Sequence, residues 1–220
     1  MPITWEDSRP AELNAVDDVA GEYTISAFNV LNYFTSLGED EGGCNGYTDI
    51  NGNPVASRNC TVRGAFTESA LADQQEKIVA AINGLNADVI ALSEIEDTFA
   101  VTGDIERRDE ALATMVDALN AEGGNWKYVE SPEKVPASPD VIRVAFIYNP
   151  DRVEPVGESR IFEDDRFTGT AREPLAQEFK PVAEDVTESF VAVANHFKSK
   201  GSLARGEADQ GDGQGDNATL

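Results

Sequence analysis

The chain has 220 residues, 40% of them hydrophobic, enough to bury one sizeable core or two small ones. Its 17 Lys plus Arg against 41 Asp plus Glu leave a formal net charge of −24, which disfavours nonspecific coating of nucleic acid or of anionic membranes unless salt screens it, as in an adaptation to salty surroundings; a polyanionic substrate needs local cations or metal ions. No apolar run approaches the roughly 20 residues of a bilayer span, and the first ten residues show neither the basic nor the apolar part of a secretory signal.

Residues 1–21 are polar, carry Pro2, Pro10 and Asp17-Asp18, and read as a lead-in or linker. Tyr23–Leu31 is rich in β-branched and aromatic residues and predicts a strand ending in Asn29-Val-Leu-Asn32. The loop from Thr35 to about Thr67 is long for a compact domain, which signals function or a special staple. It holds both cysteines, Cys44 and Cys60; with no Cys-x-x-Cys spacing and no nearby His, a loop-stapling disulfide is favoured over a metal site or free thiols, and implies an oxidising compartment. Leu71, Ile78, Ile82 and Leu85 keep near-helical spacing and predict a helix over 68–85.

Ala87-Asp-Val-Ile-Ala-Leu-Ser-Glu-Ile-Glu96 follows, an apolar strand that ends in two acids, at the kind of sheet edge where α/β folds place chemistry. A second helix is expected over about 108–121, its stripe of Leu112, Met115, Val116 and Leu119 reading as packing and its stop as Gly123-Gly124. Trp126–Val129 reads as a short strand and Val141–Tyr148 as a buried one interrupted by Arg143, with Arg152–Val156 expected to pair beside it as a hairpin. Residues 157–185 read as acidic and irregular apart from a short strand around Leu175–Phe179, and Phe190–His196 as the last strand. Beyond Gly201 the composition falls to Gly, Asp, Gln and Ala, a tail over 206–220 whose Asp212-x-x-x-Asp216 lacks the remainder of a calcium loop.

Four polar residues thus mark strands: Asn29, Glu94, Arg143 and His196. Together they suggest metal-assisted attack on a phosphate ester. Glu94 and the Asn29 amide oxygen are hard donors suited to Mg²⁺, Arg143 suits a bidentate phosphate clamp, and His196 suits donation of a proton or hydrogen bond. Each also has a plain structural reading, as a turn cap, an interior histidine or an ion-paired arginine.

Ser26-Ala-Phe-Asn-Val-Leu-Asn-Tyr-Phe34, Gln75-Glu-Lys-Ile-Val-Ala-Ala-Ile82 with the strand to Glu96, Ile142-Arg-Val-Ala-Phe-Ile-Tyr148 and Asn195-His-Phe-Lys-Ser-Lys-Gly201 resemble, in order, the endonuclease/exonuclease/phosphatase superfamily, and most of all its branch of secreted bacterial deoxyribonucleases. The resemblance implies a four-layer α/β sandwich of two packed mixed sheets flanked by helices, over 22–205. It implies a metal-dependent phosphodiesterase acting on DNA outside the cell or in the periplasm, with Mg²⁺ (or Mn²⁺ or Ca²⁺). In it Glu94 is the metal ligand, Asn29 supports metal and phosphate, and Arg143, His196 and Lys198 contact the phosphate; Glu96 has a supporting or surface role. Ser93 stands where relatives commonly carry Gln.

Relatives continue with Gly-Asp-x-Asn and Ser-Asp-His, which supply a water-orienting acid and a second histidine. Neither occurs here and His196 is the sole histidine, so the chain is expected to lack the C-terminal part of the domain and to turn over poorly by itself. The same fold also serves sphingomyelinases, inositol-phosphate phosphatases and inactive binding modules. Lys198, Lys200 and Arg205 favour a nuclease, as a small basic patch on an acidic surface.

Overall fold

A computed structural model describes residues 21–165, 167–168, 171–183 and 186–197. Strand β1 (Ile25–Tyr33) leads through a hairpin of β2 (Asn45–Thr48) and β3 (Pro54–Arg58) to helix α1 (Glu68–Gly84) and strand β4 (Val89–Glu96). Helices α2 (Thr98–Thr102) and α3 (Glu110–Ala121) precede β5 (Lys127–Tyr128), β6 (Ile142–Tyr148), β7 (Val153–Ile161), β8 (Arg172–Pro181) and β9 (Phe190–His196).

Two sheets carry the fold. In the first, ordered β1-β4-β6-β5, β4 is central, parallel to β1 and antiparallel to β6. The second is an antiparallel meander, β7-β8-β9. Alternation along β4 and β6 sends successive side chains to opposite cores. Ile90, Leu92, Ala145 and Ile147 join Ile78 and Ile82 of α1 and Leu112, Met115 and Leu119 of α3, while Val89, Val144, Phe146 and Tyr148 meet Val153, Leu175, Phe179, Ala192 and Ala194 of the second sheet. Phe179 is the pivot of the inter-sheet core, edge-on to Phe146 at 5.8 Å and stacked on Phe190 at 5.8 Å. The described residues thus build an α/β sandwich of helices, sheet and sheet.

The expected helices and the β1–α1–β4 unit form as anticipated, α1 capped by Thr67, whose hydroxyl accepts from Ala70 N. Two expectations change. Val153–Ile161 does not pair beside β6. Arg152 Nε binds Asp88 Oδ1 at 2.9 Å and its Nη2 donates to Glu22 O, so the chain turns at Asn149–Arg152 and enters the second sheet instead. The stretch taken as mostly irregular holds a ten-residue strand, β8, paired on both edges; its Pro174 falls in the register shift between Arg172 and Leu175, where no ladder donor is required.

The long polar loop is stapled as anticipated. Cys44 and Cys60 form a disulfide with a Cα–Cα separation of 5.2 Å, just outside the Asn45↔Arg58 pair of the hairpin. Gly46 has no room for a side chain, since a Cβ there would lie 2.9 Å from that of Pro54. The lead-in at 1–20, Lys198, Lys200, Arg205 and the tail at 206–220 lie outside the described residues.

Candidate active site

The site grows from a defect in the central strand. Ser93 pairs with Val144 and Ile95 with Arg143, leaving Glu94 as an extra residue in a β-bulge with φ +66°. The bulge keeps Leu92 and Ile95, three residues apart, in the same helix-side core, and frees the Glu94 carboxylate from it. Opposite, β1 breaks its ladder between Asn29 and Tyr33, where Leu31 (φ 54°) and Asn32 (φ 51°) are also left-handed. Three adjoining non-glycine residues in that region form a concentration of backbone strain of the kind seen at functional sites.

The strained segments meet. Asn32 N donates to Glu94 Oε2 at 3.1 Å. From the second sheet His196, at the end of β9, points inward like Ala192 and Ala194 and brings Nε2 to 3.5 Å from Glu94 Oε1. Both side chains are about one-fifth exposed, at 20% for Glu94 and 18% for His196. Burial, then the positive charge of Arg172, push the imidazole below its ordinary range, against the opposing pull of Glu94 and Asp140. A neutral imidazole results near pH 7. Its Nδ1 is buried without a hydrogen-bond partner among the described residues.

Asn29 pairs laterally with Ser93, and its Oδ1 accepts from Leu31 N at 2.7 Å, fixing the kink in β1. It alternates with Phe28 and Val30 of the helix-side core, so its amide lies on the face of the sheet away from the helices. Glu94 and His196 therefore meet from two sheets, and Asn29 lies on the strand next to Glu94, laterally paired with Ser93.

Arg143 is placed differently. It shares the helix-side face with Ala145 and Ile147, and its Nη2 binds Asp109 Oδ1 at 2.6 Å and Arg108 O at 3.3 Å, just before α3. Asp109 is further bound by Ser131 through N–H and hydroxyl. Arg143 thus pairs with Asp109 through Nη2, while its Nε, like that of Arg172, is buried without a hydrogen-bond partner among the described residues. The cation facing His196 is instead Arg172, its cross-strand partner in β8. Arg172 Nη2 binds Asp140 Oδ2 at 2.9 Å, Arg63 holds the other oxygen at 2.7 Å, and Arg172 Nε is buried and free of partners among the described residues. Asp140 thus carries two arginines, and of these it is the Arg172 charge that acts on the imidazole. Sequence reasoning missed Arg172 because it opens a strand read as loop; the available signal was Arg172-Glu-Pro174 directly before the apolar run Leu175-Ala176.

The second acid of β4 is not at the surface. Glu96 is fully buried and accepts from Thr35 N (2.7 Å), Thr35 Oγ1 (3.2 Å), Ser36 N (3.1 Å) and Ser36 Oγ (2.5 Å), tying down the chain that leaves β1. Burial, then the nearby charge of Glu96, push the Tyr33 phenol upward, and that hydroxyl donates to Gln75.

Among the described residues no cluster of three His, Cys, Asp or Glu exists. That donor set suits neither a zinc-type cage nor a calcium loop. One carboxylate with an amide oxygen suits a hydrated hard cation such as Mg²⁺, which keeps most of its waters.

No family model matches the sequence, and no curated protein matches it. Among solved structures, the fold is similar to ANGEL2, a 2′,3′-cyclic phosphatase, in complex with adenosine-2′,3′-vanadate, at 12% identity over 83% of this chain and 41% of that one, with a TM-score of 0.42. It is similar at 12% identity, over 78% of this chain and 49% of the other and with a TM-score of 0.40, to an endonuclease/exonuclease/phosphatase family protein from Bacteroides thetaiotaomicron. The human Nocturnin catalytic domain with bound sulfate aligns at 16% identity over 55% and 41% of the two chains, with a TM-score of 0.31. The chain spans less than half the length of each of these structures.

Proposed function

We propose that this chain carries the metal-binding and phosphate-binding half of a phosphodiesterase site, and that its substrate is DNA. The observation that carries the reading is the meeting of Glu94, on a bulge in one sheet, with His196 and Arg172, on paired strands of the other. Glu94 and the Asn29 amide would hold the cation, which would supply positive charge to a phosphate oxygen when bound. His196, in the tautomer that carries its proton on Nε2, would donate a hydrogen bond to a phosphate oxygen. Arg172, oriented by Asp140, neutralises charge on the same group.

Glu94 and His196 are each about one-fifth exposed, open enough for a ligand to reach both, and burial together with the Arg172 charge keeps the imidazole neutral. Asp140, the further acid that acts on His196, is held by Arg172 and Arg63, which leaves it poorly placed to orient the water, so turnover by these residues alone is expected to be slow. That placement favours a second reading, a module that binds metal and phosphate without turnover.

The test combines calorimetric Mg²⁺ titration with plasmid nicking. Mg²⁺ binding abolished by Glu94→Gln, with nicking that is weak, metal-dependent and lost in Glu94→Gln and His196→Asn, is the expected result. Mg²⁺ binding without cleavage of DNA, RNA or a small diester selects the inert module. Binding that Glu94→Gln leaves intact overturns the metal assignment.

A further inference from the structure

A second feature adjoins this site. The kinked end of β1, the N-terminal half of α1 and the disulfide-stapled hairpin enclose an open groove. Gln74 closes its floor by donating through Nε2 to Val30 O at 3.1 Å and Leu31 O at 2.7 Å. On its rim three large apolar side chains face solvent, Leu31 at 73%, Tyr47 at 54% and Val55 at 40% exposure. The Arg58 guanidinium lies 5.2 Å over the Tyr47 ring. The charged residues lining the groove are Lys77, Asp73 and Arg63, the last paired with Asp140 outside it; with Arg58 on the Tyr47 ring, three cations and one acid border the groove, in a chain of 17 cations and 41 acids.

We propose that this groove binds an unpaired nucleotide flanking the phosphate held at Glu94, which makes single-stranded or frayed polynucleotide the preferred substrate class. The proposal rests on the phosphodiesterase reading. An aromatic ring with cations around it is the means by which proteins hold single strands, the base stacking on the ring while the backbone follows the charge. Asn29 and Asn32 line the groove and also belong to the strand end beside Glu94, so a chain whose phosphate sits at the metal continues past Leu31 toward Tyr47. The platform is fixed in advance. Besides the disulfide, Ser57 N donates to Gly64 O at 2.9 Å and Phe66 N to Val55 O at 3.3 Å, so little ordering accompanies binding.

Fluorescence anisotropy with a labelled single-stranded oligothymidylate and its blunt duplex, in Mg²⁺, tests this. The single strand is expected to bind more tightly than the duplex. Tyr47→Ala weakens single-strand binding on the order of tenfold or more, Tyr47→Phe restores it, and Lys77→Glu weakens it while flattening its salt dependence. Tyr47→Ala equal to wild type, with binding lost in Arg172→Gln, overturns the groove and leaves the active site standing. No oligonucleotide binding by the wild type overturns both. A concentration-dependent dimer dissolved by Tyr47→Ala, with oligonucleotide binding unmoved, assigns the groove to a second copy of the chain and likewise refutes the proposal.

Discussion

Two glutamates two residues apart on β4 are expected to fail in opposite ways when replaced. Glu96 is fully buried and takes hydrogen bonds from two backbone N–H groups and two hydroxyls of Thr35 and Ser36. Glu96→Ala strands those donors, and each stranded backbone N–H costs about 1–3 kcal/mol. Thr35 and Ser36 are half-buried, so water recovers part of this and the hydroxyls can turn away. A net loss of about 3 kcal/mol follows, with about half as much for Glu96→Gln, which keeps one acceptor. Urea unfolding with the disulfide intact reads this as a midpoint lower by about 1–2 M for a slope near 2 kcal/mol/M. Glu94→Gly should behave inversely. It removes a left-handed non-glycine residue at φ +66°, leaving stability unchanged or raised by up to about 1 kcal/mol, while Mg²⁺ binding disappears. A Glu96→Ala protein less than about 1 kcal/mol below wild type would refute the reasoning, since the carboxylate would then not be holding the loop.

Arg143→Met breaks the pair with buried-side Asp109 and is expected to lower stability by about 2–4 kcal/mol, whereas Arg172→Gln should weaken phosphate binding more than folding; thermal unfolding and inorganic-phosphate titration on both variants separate the roles. Replacing Cys44 and Cys60 by Ala opens a loop with a sequence separation of 16, for an expected loss of about 3 kcal/mol, seen as a lower urea midpoint together with faster proteolysis between β2 and β3. The Glu41 carboxyl is held below its ordinary value by the backbone N–H groups of Thr61 and Val62. Its support for that turn is therefore complete above the ordinary value of 4.5 and is lost as pH falls through the lower folded value. Amide exchange at Thr61 and Val62 should accelerate on acidification in the wild type and be fast at every pH in Glu41→Ala, after correction for intrinsic rates.

Local chemistry made much of this protein legible from its residues in order. Helical spacing from Leu71 to Leu85 and the stripe from Leu112 to Leu119 specified both long helices, because one face of each had to be covered. The apolar run into Glu94 announced a buried central strand with a polar end, and the two cysteines in a glycine-rich loop announced their bond. Glu94, Asn29 and His196 could be chosen as polar residues late in runs that read as strands; His196 does end β9, whereas Asn29 and Glu94 sit at ladder breaks within β1 and β4.

What tertiary structure alone decided is which side chains are spent on holding the fold. Nothing local distinguishes Glu94 from Glu96; a one-residue bulge turns the first toward His196 and leaves the second beneath the Thr35–Ser36 turn. Nothing local distinguishes Arg143 from Arg172, since pairing with Asp109 or with Asp140 beside His196 depends on which face of which sheet each strand presents. Strand register has a period of two, so the sequence sets which residues share a face, but the partner across a gap between sheets is set only by how the sheets pack.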